Sequence, residues 1–291
     1  MSNSRVIYWF RTDLRLHDSP ALQSALDLKP AAFYPIWCWD SHYVYKARVG
    51  VNRWQFLLDC MYDVSASLTK LNEKQKLFVL REPAVTLLPK LFKTWKITHL
   101  VFEKDTDAYG KERDAEVMRL AKEAGVEVIF KSGRTLWDSD EVVKAHGGKP
   151  TMTLHQLQSA GEKVGDIAKP LDAPQSLPDP GELCLDSLDQ NVPVSKPDIN
   201  EHHRKSDDSS FAYGLAGPNG DCSFPTLEEL GMPAATTHIR GGETLILKRL
   251  NEQIFSDEDY TGTFAKPNTS PAAFEPQSTC LTSPYLSLIH I

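Results

Sequence analysis

Short apolar runs recur through the first part of the chain, at 6–10, 32–38, 77–80, 99–102 and 126–130, each bounded by polar or turn-forming residues. Between them, near 19–28, 52–71, 84–94 and 107–124, apolar positions return with a helical period. In the second of these, Trp54, Leu57, Leu58, Met61, Leu68 and Leu71 fall on one face. Alternating strands and helices with nearly continuous apolar strands predict an α/β domain. Its sheet is five-stranded, parallel, Rossmann-like in winding and covered on both faces. The first run, Val6 to Phe10, breaks into Arg11, Asp13 and Arg15, and Asp18-Ser19 precede the next helical pattern. That reads as a buried strand, a polar loop at its carboxyl end, and a helix capped by Asp18 or Ser19. Ligands of open α/β sheets bind at this end of the strands. No Gly-x-Gly-x-x-Gly follows the first strand, so the sheet is not expected to hold NAD in the usual way.

The texture changes after about residue 131. From Gly161 to Pro233 the chain is rich in Pro, Gly, Asp and Ser, with weak periodicity. It reads as a long ordered connector, because a structureless loop of that length is uncommon inside a compact fold. A helical pattern resumes at Gly241-Gly242-Glu243-Thr244, with a partial apolar stripe of Leu245, Leu247, Leu250 and Ile254.

Composition adds limits. Hydrophobic residues make up 41% and charged residues 24% of 291 residues, ordinary for a soluble globular protein of about two domains. No apolar run approaches the roughly 20 residues that span a bilayer, and no targeting segment is expected ahead of the first strand. Cys38, Cys60, Cys184, Cys222 and Cys280 are scattered and form no C-x-x-C pair. Neither a disulfide framework nor a zinc site is expected, and the nucleus or cytoplasm is the default compartment. Residues 1–135 hold 21 Lys+Arg against 16 Asp+Glu, whereas 136–291 hold 11 against 23. No long basic stripe marks a self-sufficient DNA-binding module.

Several motifs together carry a resemblance. Trp9-Phe10-Arg11-x-Asp13-Leu14-Arg15 followed by Asp18-x-Pro20-Ala21-Leu22 resembles the amino-terminal signature of the photolyase/cryptochrome flavoproteins. Phe102-Glu103-Lys104-Asp105-Thr106 and Gly241-Gly242-Glu243-Thr244 are similar to segments of the (6-4) photolyase and animal-type cryptochrome branch, with fungal members nearest. The resemblance implies an α/β antenna-type domain over 1–135, a connector over 136–236, and the start of an all-helical FAD-binding domain over 237–291. After Leu288 the chain departs from the family pattern, so a form truncated within the flavin domain is expected.

Near the carboxyl terminus, Ser278, Thr279, Thr282 and Ser283 place four hydroxyls within six residues, ahead of Pro284. On chemistry alone this suits either a capped helix start with solvated hydroxyls or an anion site. The family resemblance implies the latter. Thr279-x-Leu281-x-Ser283-Pro284-Tyr285-Leu286 looks like the flavin-phosphate segment of that family, which puts Ser278, Thr279, Cys280, Leu281, Thr282 and Ser283 on FAD-contacting positions, with Lys266 upstream reaching the phosphates. Cys280 stands where the family usually has Ser, Thr or Pro, so a backbone contact is expected there. Asp105 and Asp107 flank a helix start and suit capping. Neighbouring residues in the family line an antenna pocket, and a carboxylate used by folate-binding members is replaced near Gly110. An antenna of folate or deazaflavin type is therefore an open expectation.

The six tryptophans lie in the α/β part or, for Trp137, directly after it, and read chiefly as core. The His202-His203 pair reads as solvated, and no metal site is expected. The resemblance implies light-driven repair of a pyrimidine dimer by reduced FAD, with damaged DNA as partner, no membrane and a monomeric state. No catalytic residue of that chemistry falls within this chain, which is expected neither to retain FAD tightly nor to repair DNA alone. The alternatives are a blue-light signalling protein of cryptochrome type and a stand-alone antenna-domain binding module.

Overall fold

The computed structural model describes residues 3–39, 49–185, 215–217, 219–256 and 282–288. Its centre is a five-stranded sheet of β1 (Arg5–Phe10), β2 (Ala32–Cys38), β3 (Phe78–Leu80), β4 (His99–Glu103) and β5 (Glu127–Lys131), in the order β3-β2-β1-β4-β5. All pairings are parallel, with Ile7 opposite Tyr34 on one side and Leu100 on the other. Helices α1 (Pro20–Asp27), α2 (Val51–Leu71), α3 (Ala84–Thr94) and α4 (Ala108–Glu123) make the crossovers.

Strand β1 shows why the run 6–10 is continuously apolar. Successive side chains point to opposite faces. Val6, Tyr8 and Phe10 join Leu22, Trp54 and Met61 in one core, while Ile7 and Trp9 join Leu88, Leu91 and Phe102 in the other. The chain steps from β1 to β2 and β3 under α1 and α2, then returns to β4 beside β1 under α3 and α4. The expected doubly covered parallel sheet is present at β1 to β4. Strand β5 departs from it: Phe130 is 44% exposed, because β5 is an edge strand with an incomplete outer layer. Trp9, Trp39, Trp54 and Trp95 are buried, so the core reading holds for them. Ser19, not Asp18, caps α1, accepting from the Leu22 amide, and Pro20 takes the first helical turn.

Between β5 and the Pro- and Gly-rich stretch two helices form, α5 (Ser139–Ala145) and α6 (Leu154–Val164), the second running into its start. Beyond them the described residues of the connector are irregular but docked. The Phe33 amide donates to the Asp179 carbonyl, and Gln75 Nε2 donates to the Phe33 and Pro178 carbonyls at 3.0 and 2.6 Å. The Val79 and Arg81 amides donate to the Cys222 and Leu215 carbonyls, so this segment satisfies the free edge of β3.

The Gly241-Gly242-Glu243-Thr244 junction opens α7 (Glu243–Leu250), and each residue has a distinct physical task. A Cβ on Gly241 would fall 2.3 Å from the Phe56 carbonyl oxygen and 2.6 Å from Cys60 Sγ, so only glycine lets the backbone close on α2. Gly242 sits at φ +126, which L side chains rarely adopt. The Gly241 and Thr244 amides donate to Asp59 and Asp63 on α2 at 3.1 and 2.9 Å. Glu243, buried, reaches back to the loop after β1, where its carboxylate accepts from the Leu16 and His17 amides (2.9–3.0 Å) and contacts His17 Nδ1 at 2.5 Å. This anchor sets the phase of α7. Ile246 is the buried residue, while Leu245 and Leu247 of the expected stripe are 39% and 37% exposed. The helix then widens into a π-turn over Asn251–Phe255.

Glu243→Gln puts an amide donor where the carboxylate accepts from the loop. We predict a loss of about 1–3 kcal/mol in urea unfolding. Gly241→Ala should cost a similar 1–3 kcal/mol, through overpacking against α2. Equal midpoints for Gly241→Ala and wild type would show that the close approach is not required.

Candidate functional site

The strand order reverses beside β1, so the crevice expected for a ligand lies where β1 and β4 end. The side chains there are heavily charged yet largely turned on one another. Arg11 Nη1 donates to both carboxylate oxygens of Asp114 on α4 at 2.6 and 2.7 Å. Its guanidinium lies 4.8 Å from the ring centres of both Trp9 and Phe102. Arg113 also lies over the Trp9 ring, at 5.0 Å, and contacts Asp114 and Asp105. Arg134, after β5, donates to Asp105 at 3.1 Å. Burial opposes ionisation of Asp105, but Arg11, the Thr106 amide and Arg113 outweigh it and hold the carboxyl below the ordinary carboxylate range. Asp107 is the helix cap, accepting from the Gly110 amide at 2.8 Å.

Asp13 accepts from the Arg11 amide and from the buried Tyr8 hydroxyl at 2.9 and 2.8 Å. Burial chiefly, with the Asp13 charge, raises the Tyr8 phenol well above its usual range, so it stays a neutral donor. Arg15 is fully buried, where an unpaired cation would cost several kcal/mol. Its guanidinium is met by the His17, Asp18 and Gly133 carbonyls. Beside this cluster a groove of about 190 Å³ is lined by Pro83, Ala84, Val85, Tyr109, Glu112 and Arg113. Small-molecule sites are usually about 300–1,000 Å³, so the groove as formed is small for a chromophore.

The second locus is the hydroxyl-rich segment. Lys266, Ser278, Thr279, Cys280 and Leu281 lie outside the described residues, as does His202-His203. Thr282 and Ser283 are described. Ser283 opens the short helix α8 (Ser283–Leu288) with an exposed side chain, Pro284 falls in its first turn, and the Thr282 carbonyl accepts from the Tyr285 and Leu286 amides. The residue that fixes this segment is Tyr285. It is buried, stands edge-on to Phe56 of α2 at 5.0 Å, and donates its hydroxyl to the Arg240 carbonyl at 2.5 Å. Tyr285 thereby ties the start of α8, with Thr282 and Ser283, to Arg240, the residue before the Gly241-Gly242 junction. Glu243 and Tyr285 are the positioning residues that a reading for chemistry passes over. Their signals were a glutamate directly after a glycine pair and an aromatic directly after Ser-Pro. Among the described residues no group of His, Cys, Asp and Glu is arranged to hold a metal ion.

Comparison with known proteins agrees with this geometry. A family model described as DNA photolyase matches residues 6–176. Cryptochrome-2 of Gallus gallus is 36% identical over 285 residues, covering 97% of this chain and 43% of that protein. Cryptochrome-1 of Mus musculus is 35% identical over 283 residues, covering 96% and 41%. The chain thus spans about two fifths of the length of these relatives. Among solved structures, the Synechocystis cryptochrome superposes with a TM-score of 0.71 at 20% identity, over 100% of this chain and 54% of the other. The photolyase of Sulfolobus tokodaii, solved with two FAD molecules, gives 0.62 at 15% identity, over 99% and 52%. At those identities the structural likeness establishes the fold. The family model, which spans more than half of the sequence, establishes the kinship: the chain belongs to the DNA photolyase family, that of photolyases and cryptochromes.

Proposed function

We propose that this chain is part of a light-dependent flavoprotein of DNA repair, a photolyase for (6-4) or related pyrimidine dimers, in which 278–283 with Lys266 contacts the FAD pyrophosphate. The observation that carries the reading is the anchoring of Thr282 and Ser283 by Tyr285 beside the Gly241-Gly242 junction. Hydroxyls, backbone amides and a lysine are a donor set suited to a pyrophosphate. FAD would supply photochemical electron transfer, while the residues of this chain bind and orient its phosphates. Damaged DNA is the proposed substrate, in a monomeric protein of the nucleus or cytoplasm. A second reading, a cryptochrome-type photoreceptor, is favoured by the cryptochrome relatives. Light-driven loss of pyrimidine photoproducts supports repair, and flavin photoreduction without that loss supports signalling.

An antenna remains part of the proposal, but a folate held by a carboxylate at position 110 does not fit. A Cβ on Gly110 would lie 2.6 Å from Asp105 Cγ and 2.7 Å from its Oδ2. The Asp105 carboxylate already fills the space a side chain at 110 would need.

Two outcomes are expected. FAD titrated into the purified chain should show weak, saturable quenching of flavin fluorescence, competed by pyrophosphate. Lys266→Ala should weaken it roughly tenfold, the worth of one charge-assisted hydrogen bond. Stoichiometric flavin co-purifying with the chain would contradict weak retention, and no saturable binding would remove the pyrophosphate assignment. Separately, Gly110→Glu should lower stability by about 1–3 kcal/mol in thermal unfolding and confer no folate binding. A stable variant that binds folate would overturn the steric argument.

A further inference from the structure

Glu103 ends β4 inside the charged cluster and is 3% exposed. Neither of its carboxylate oxygens has a hydrogen-bond donor among the described residues. The nearest cation is Arg15, whose Nη2 stands 3.6 Å from Oε2, beyond hydrogen-bond reach. That same nitrogen donates to the Asp18 carbonyl at 2.7 Å and the Gly133 carbonyl at 3.0 Å. A buried, ionised carboxylate would not leave a guanidinium serving neutral carbonyls at this distance, because a charge-assisted hydrogen bond is roughly twice as strong as a neutral one. The geometry is that of a neutral carboxyl group.

We propose that Glu103 is a proton-operated switch: protonated, it leaves Arg15 to hold the Asp18 and Gly133 carbonyls, and ionised, it draws Arg15 away and loosens the loop at Asp18. The consequence reaches beyond the loop. Asp18 sits at φ +46 and joins the sheet to the connector through two hydrogen bonds, its amide to the Leu171 carbonyl and its carboxylate from the Leu171 amide. Release of Arg15 therefore frees the strained residue that clasps the connector.

The groups facing Glu103 set the threshold. Burial comes first, and Asp13 from the β1 loop adds to it. Arg15, Arg134 after β5, and Arg11 act in the opposite sense. The balance pushes the carboxyl up to about 8. Tyr8, also within its field, stays neutral through this range. Because the folded chain keeps a proton that the unfolded chain has already released, stability is full below the ordinary glutamate range. It falls as pH climbs, until Glu103 ionises near 8.

The test compares the full chain with Glu103→Gln at about pH 6 and about pH 9.5, by amide exchange corrected for intrinsic rate. In the wild type, protection of the Asp18 and Leu171 amides should fall about tenfold or more across this interval, since one unit of pKa difference is a tenfold change. In the glutamine variant, which cannot ionise, the fall should disappear. An equal fall in both chains, or none in the wild type, overturns the switch. Should the variant fail to fold, infrared spectroscopy of the wild type decides. A protonated-carboxyl stretch present near neutral pH and lost at the alkaline end supports the proposal, and its absence near neutral pH refutes it.

Discussion

The carboxylate of Glu243 gathers the two chain-adjacent amides of Leu16 and His17 across 226 and 227 residues of sequence. Closing so long a loop carries an entropic cost that the contact alone cannot offset. It holds because neighbouring contacts share the cost: Gly241 pressed on α2, Asp59 and Asp63 receiving the junction amides, and Tyr285 closing over Arg240. Once the carboxylate is seated, the phase of α7 is set, and with it the choice of Ile246 over Leu245 and Leu247 as the buried residue. The hydroxyl-rich segment inherits its position from the same junction.

Viewed from the sheet, the opening signature is a structural hub. Arg11 is bound to Asp114 and lies over the rings of Trp9 and Phe102, Asp13 holds Tyr8, and Arg15 holds three carbonyls. These charges are spent within the fold, which explains why a site so rich in arginine and aspartate leaves only a small groove beside it. The loop they stabilise offers its outer backbone to the connector at Leu171 and to α7 at Glu243. The sheet's ligand edge is thus the surface on which the later parts of the chain are assembled.

How much of this was legible depended on range. Strands β1 to β4 declare themselves because both their faces are buried and their sequences are apolar throughout. Strand β5 reads the same way although it is half exposed, since its sequence carries no mark of which layer is missing. Asp107 as a cap is local, and it was readable. Gly110 was readable only as an absence: its cause is the Asp105 side chain occupying the space of its missing Cβ. The task of Glu243 was hidden because its partners are backbone amides, which every residue carries and no motif announces. Glu103 was hidden for the opposite reason, since its environment is built from four segments that meet only in the folded state.

The two loci are therefore one mechanical system. Arg15 couples β4 and the loop after β5 to Asp18. Leu16 and His17, two and one residues before Asp18, receive Glu243. Glu243 begins the helix whose first turn sits beside Arg240, the residue that Tyr285 clasps. From Glu103 at the end of β4 the path starts with an ion pair at 3.6 Å to Arg15, and from Arg15 it reaches Thr282 and Ser283 through hydrogen bonds and neighbouring residues. Burial makes the path stiff: Arg15, Leu16, Glu243, Ile246 and Tyr285 are all buried, and close-packed interiors transmit displacement instead of absorbing it. The placement of Thr282 and Ser283 is then a property of the sheet's carboxyl edge as much as of the segment that carries them.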